Sequence, residues 1–204
     1  MSDFSELYKS FEFEAEGIDY RLKNVVATIE TGEYLRQYRD AGRFIEFCKQ
    51  CNRYNACWAC PPFDFDTTEH LLKYKRAYII GTKITLDEAL RNEIADWERC
   101  TGATYRIVEE VRRDLDNRLL DLEKFYFDSR AFFAGACHIC PQGTCMRIKG
   151  QPCLYPHKIR PSLESFGFDI SKTSSQLLNI ELKWSKEGKL PEYFVLVSGL
   201  FTKS

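Results

Sequence analysis

The chain has 204 residues, 44% of them hydrophobic and 29% charged, which is a globular profile and not a disordered or fibrous one. Lysine plus arginine (29) nearly balances aspartate plus glutamate (30), so no global charge points to nucleic acid or an anionic membrane. No stretch approaches the roughly 20 apolar residues that cross a bilayer, and the acidic N-terminus from Met1 to Glu6 lacks the cationic and apolar regions of a secretory signal.

In chain order, the β-branched and partly alternating run Tyr20–Ile29 predicts a strand. Residues 33–47 admit a short helix or an irregular lead-in. A loop follows, punctuated by Asn52, Asn55, Pro61 and Pro62. A helix is predicted over Thr67–Lys75, capped by Thr67 or Thr68, and then a buried strand over Arg76–Ile84. Asp87 is the candidate N-cap of a helix reaching about Cys100, with Gly102 just beyond, where a C-terminal glycine belongs. The clearest helix runs from about Thr104 to Phe125, where Ile107, Val108, Val111, Leu115, Leu119, Leu122 and Phe125 recur at threes and fours. A short strand, Ala131–Phe133, leads into a second loop rich in Gly and Pro. One helical turn at 162–166, a helix over 171–182, a polar turn at 186–189 and a final strand, Tyr193–Phe201, complete the chain. These elements predict an α/β or α+β fold: a single compact domain over residues 1–204, with a small mixed sheet, flanking helices and two cysteine-rich metal-binding loops at about 48–62 and 137–161.

Eight of the nine cysteines lie in those loops. The first set reads Cys48-x2-Cys51-x5-Cys57-x2-Cys60 and runs into Pro61-Pro62; the second reads Cys137-x2-Cys140-x4-Cys145-x7-Cys153. A cytoplasmic location is expected, and in that reducing compartment such clusters point to metal and not to disulfides. A Cys-x2-Cys turn brings two sulfurs to one ion or one face of a cluster. Zinc sites join two such pairs across roughly 15–20 residues, whereas five separate the pairs of the first set. A polynuclear cluster accepts closely strung cysteines, and Cys60-Pro61 repeats the Cys-Pro ending of the bacterial ferredoxin run.

Charge gives a second indication. Between Asp128 and Glu164 there is no acidic residue, but Arg130, Arg147, Lys149, Lys158 and Arg160 fall there; Lys49 and Arg53 stand in the acid-free stretch between Glu46 and Asp64. Cations and backbone amides stabilise the net negative charge of a thiolate-bound centre. A basic surface that binds phosphate or nucleic acid is the alternative source of such a bias. Cys100, alone near a helix end, reads as a small buried hydrophobe. His138 and His157 read as neighbours of a site that four cysteines complete, and Tyr54 and Trp58 as packing or as shielding from water. There is no Cys-His-Asp triad, Walker loop or dinucleotide glycine fingerprint, and Gly81 and Gly102 read as turn residues.

The run Cys48-x2-Cys51-x2-Tyr54 with Trp58-x-Cys60-Pro61-Pro62 resembles a prokaryotic family labelled "predicted metal-binding protein" (domain of unknown function 2284). So do Cys137-x2-Cys140, Cys145, Pro152-Cys153, Pro156, Arg160-Pro161-Ser162-Leu163-Glu164 and Gly167-Phe168-Asp169-Ile170, and the likeness covers roughly Tyr20 to Phe201. It implies metal binding; the family's function is not established. Cys57 falls outside the family pattern, which implies a first set of Cys48, Cys51 and Cys60 with its fourth position left to another residue, solvent or substrate.

The expected protein is a cytosolic iron–sulfur protein holding one or two clusters of the 4Fe–4S type on Cys48, Cys51, Cys57, Cys60, Cys137, Cys140, Cys145 and Cys153. It would move electrons or support a reductive step, with a redox partner protein and with neither membrane nor nucleic acid. Zinc is the alternative cofactor. Structural zinc would organise the loops into a partner-binding surface, and labile thiolates would handle or sense metal. No catalytic residue can be named from the sequence.

Overall fold

The computed structural model describes residues 14–126 and 128–203; the segment 1–6, read above for a secretory signal, lies outside them. Glu14–Glu16 (β1), Tyr20–Glu30 (β2) and Arg76–Leu86 (β3) pair successively, and Tyr193–Thr202 (β5) joins β3 to Ser129–Phe132 (β4), giving the sheet order β1-β2-β3-β5-β4. The α/β or α+β class holds, but every strand pair is antiparallel, so the sheet is not mixed as expected. The register gives the reason. Glu30, where the chain leaves β2, sits opposite Arg76, where it re-enters at β3. The intervening helices and the first cysteine loop therefore return to the end of the sheet they left. The crossover from β3 to β4, which run the same way, makes no parallel pair because β5 lies between them antiparallel to both.

The centre of the sheet is buried on both faces. In β3, Ala77 and Ile79 join a cluster with Tyr34, Phe132, Phe166, Phe168 and Phe201, while Tyr78, Ile80 and Ile84 face the other way. This two-sided burial explains the uninterrupted apolar run of Ala77–Ile80. The second face is covered by a helix of 29 residues, Trp97–Phe125, about 43 Å long at 1.5 Å per residue. Its buried residues Ile107, Val111, Leu115 and Leu119 form the centre of the stripe expected from the sequence, with Val108 and Leu122 partly buried beside them, whereas Phe125, expected to end it, is exposed at the last turn.

Helix boundaries depart from expectation. Residues 33–47 form two helices, Thr31–Tyr38 (α1) and Ala41–Lys49 (α2). The next, Thr67–Leu72 (α3), is capped by Asp66, whose Oδ1 accepts from the amides of Thr68 (2.6 Å) and Glu69 (3.1 Å), and not by a threonine. The helix expected from Asp87 to Cys100 is split: Glu88–Glu93 (α4) stops where Ile94 turns into the core, and Asp96 caps the long helix (α5) by accepting from the Arg99 amide at 2.8 Å. Gly102 is thus inside α5, and Gly81 is mid-strand in β3; neither is a turn residue. The helix expected over 171–182 is one α-turn, Ile170–Lys172, widening into a π-turn at Thr173–Leu177, which seats Leu178 and Ile180 over Gly81, where a Cβ would lie 2.9 and 3.1 Å from their Cδ1 atoms. No helix among the described residues is long and apolar enough to cross a membrane.

Candidate metal centre

The first cysteine set begins on α2, and the fold holds that helix firmly. Arg39, between α1 and α2, donates to the Phe166 carbonyl (2.7 Å), Thr68 Oγ1 (2.9 Å) and Thr67 Oγ1 (2.7 Å). Asp40 caps α2 by accepting from the Arg43 amide at 3.0 Å. Gly167 (φ 86°) brings its backbone so close to α2 that a Cβ there would stand 2.6 Å from Ala41 Cα. Cys48 occupies the last turn of α2. The Cys51 amide donates to the Cys48 carbonyl and the Cys60 amide to the Cys57 carbonyl, each at 3.0 Å, so both Cys-x2-Cys pairs are closed as turns.

The second set hangs from β4. The Phe133 amide donates to the Pro161 carbonyl at 3.0 Å and pins the start of the loop to its end. Behind the loop, α5 supplies a buried charged network. Arg112 donates to Glu109 Oε1 (2.6 Å) and to the Ala136 carbonyl; His138 bonds Glu109 Oε2 (2.7 Å) through Nδ1 and Asp116 Oδ2 (2.8 Å) through Nε2. Glu123 grips Arg160 at the loop's end. Burial raises the Asp116 carboxyl against the pull of His138, whereas Arg112 and His138 hold Glu109 below its usual range despite burial. With both ring nitrogens committed to α5, His138 orients the loop and does not present a lone pair to a metal. His157 is exposed and contributes its carbonyl to Arg160.

The two loops are tied to one another. Arg53 of the first donates to the Cys137 carbonyl (2.7 Å). Arg147 of the second donates to the carbonyls of Cys57 (2.9 Å), Cys60 (2.6 Å) and Pro62, and lies 5.1 Å over the Trp58 ring. Trp58 Nε1 in turn donates to the Gln151 carbonyl at 3.0 Å.

Between the loops lies a cavity of about 190 Å3. Cys137, Cys140, Cys145 and Cys153 line it together with Cys57, and so do Trp58, Ile148 and Ile159. Cys57 is in hydrogen-bond contact with the thiols of both Cys137 and Cys60. Those two donors, the Ala59 amide and the Arg53 charge hold its thiol far below the ordinary range, and the donors' own thiols are pushed up accordingly. Burial, with the charges of Cys145, Cys153 and Cys57, also raises Cys140. Three cysteine sulfurs receive the backbone amide two residues on: Cys57 from Ala59, Cys137 from Ile139, and Cys153 from Tyr155 at 3.3 Å. Cys48 lines a different cavity with Tyr54, Pro61 and Glu164, and Cys51 is exposed. Cys100 lies apart, buried in the core beside Ile107.

The structure therefore gathers the second set and adds Cys57 to it, while Cys48 and Cys51 stand outside that cavity. Among the described residues, no three His, Cys, Asp or Glu side chains are already disposed to hold a single ion. The thiols stand back around a space. An all-sulfur donor set suits soft metals and iron–sulfur centres over hard cations. Glu109, Arg112, Asp116 and Glu123 were not singled out from the sequence. Their only trace there is that they sit at threes and fours beside the apolar stripe of α5, as facing positions do.

A family model described as Predicted metal-binding protein (DUF2284) matches residues 35–201. The chain belongs to this family of predicted metal-binding proteins. No curated protein and no solved structure matches it.

Proposed function

We propose that this family member holds an iron–sulfur cluster of the 4Fe–4S type on Cys137, Cys140, Cys145 and Cys153, and serves electron transfer or a reductive step in the cytoplasm. The observation that carries the reading is the cavity. Five thiols surround about 190 Å3, where one water needs only about 10–15 Å3 of such space. A lone tetrahedral ion draws four sulfurs to about 2.3 Å and has no use for a chamber of that size.

A bound cluster supplies one-electron exchange at a potential set by hydrogen bonds to sulfur, local charge and exposure. The chain's own residues set those conditions. The Ile139 and Tyr155 amides bond to cysteine sulfur, Arg53 brings positive charge beside the thiols, and Trp58, Ile148 and Ile159 displace water from the wall. Cys57 borders the same space as a fifth thiol. The nine cysteines are all free, as suits a reducing compartment.

A second reading, structural zinc, draws on the closed Cys-x2-Cys turns and the ties between the loops. Anaerobic purification with iron and acid-labile sulfide analysis separates the two. The cluster reading expects a brown protein with about four irons and four sulfides per cluster. A colourless protein with stoichiometric zinc and no sulfide overturns it.

A further inference from the structure

The surface around the mouth of the cysteine cavity is apolar where it meets water. Trp58, Ile148, Leu154 and Tyr155 are 37%, 53%, 61% and 43% exposed, and Trp58 and Ile148 also form the cavity wall. Single exposed hydrophobes need no explanation, but four on two cross-tied loops mark an interaction site. Arg53 lines the cavity and Arg147 lies over Trp58, both bonded to backbone carbonyls and not to carboxylates. Lys149 is exposed on the second loop, and neither 47–63 nor 129–163 contains an acidic residue. The carboxylates behind the second loop, Glu109, Asp116 and Glu123, are turned onto Arg112, His138 and Arg160 and do not neutralise this face. A chain of net charge −1 thus lines the cavity between its loops with thiols, apolar side chains and Arg53, and with no acid.

We infer that this face docks an acidic redox protein, with Trp58, Ile148, Leu154 and Tyr155 as the desolvated centre and Lys149, backed by the charges of Arg53 and Arg147, meeting the partner's carboxylates. An apolar centre with a charged rim is the anatomy of a protein interface. A phosphate backbone would leave Ile148 and Leu154 unmatched. Steering by a few rim charges suits a short-lived complex. The docked partner gives or takes one electron, and no bond or proton moves. The electron step rests on the cluster reading above; the binding does not.

An acidic plant-type ferredoxin is the probe, and a basic cytochrome c the charge-reversed control. Each is titrated calorimetrically into the full chain in its cluster-loaded and zinc-loaded forms. Ferredoxin is expected to bind both forms, weakening about tenfold or more between about 20 and about 200 mM salt. Lys149→Glu should weaken it about tenfold at low salt. Leu154→Ser should weaken it without changing the salt dependence, with the fold checked by circular dichroism. Absence of ferredoxin binding, equal binding of the cytochrome, unchanged binding by Lys149→Glu, or tighter binding of single-stranded DNA or anionic vesicles each overturns the surface. Iron and sulfide assays on the same samples keep the two readings apart. A zinc-only protein that binds ferredoxin in this way retains the surface and loses the cluster, and a cluster-bearing protein that does not bind loses the surface alone.

Discussion

Cys57 touches a thiol of each loop, Cys60 one turn of backbone away and Cys137 across 80 residues of chain. Motif spacing groups it with Cys60, but the cavity groups it with the second set. If the second set alone binds the cluster, Cys57→Ser keeps the parent's iron and sulfide content and costs about ten- to a hundredfold in metal affinity, as loss of a ligand's hydrogen-bonded neighbour does. Cys140→Ser loses the cluster. Metal analysis with a chelator competition reads both, and an iron-free Cys57→Ser would make Cys57 a ligand. Chemical type and local density were legible at this scale: eight cysteines, two acid-free stretches, and a lone Cys100 that is indeed a core residue. What Cys57 faces was not, because that contact is made by the fold. Nor was the engagement of both His138 nitrogens by carboxylates on a helix some 20 to 30 residues earlier.

The long helix α5 shows the same divide between local pattern and tertiary context. Its apolar stripe was visible from Ile107 onward because those residues are buried against the sheet. Its first turns were not, because Trp97, Glu98, Arg99, Thr101 and Gly102 are exposed and give no periodic signal. A glycine there looked like a terminus. Gly102 instead sits in the helix with open space around it. Gly102→Ala should therefore stabilise the protein by about 1 kcal/mol, chiefly by restricting the unfolded chain, as urea unfolding would measure. Gly167→Ala is the opposite case. Its backbone has φ 86° and its Cβ would enter Ala41, so the same measurement should show a loss of more than about 1 kcal/mol. The pair distinguishes a glycine the helix tolerates from one that seats α2, and with it Cys48.

At the scale of the whole molecule, the buried cores of the sheet are built without the cysteine loops. The three large buried clusters contain none of the eight loop cysteines; Cys57 and Cys60 belong to a small separate group with Ala59. Metal should accordingly order the two loops without creating the fold. Loss of a ligand present at a thousand times its Kd removes about 4 kcal/mol. At 2–4 °C per kcal/mol for a chain of this size, Tm should fall by about 8–16 °C on chelation while unfolding stays cooperative and the far-ultraviolet circular dichroism persists. Faster hydrogen exchange should be confined to about 48–62 and 137–161, the segments that Arg53, Arg147 and Trp58 cross-tie. A metal on which the whole fold depends behaves differently, as in small zinc domains whose metal-binding energy is their folding energy. If chelation abolishes the circular dichroism signal together with the Tm transition, the metal lies beneath the fold, and the cavity between the loops must be read as a by-product of that role and not as the seat of a redox centre.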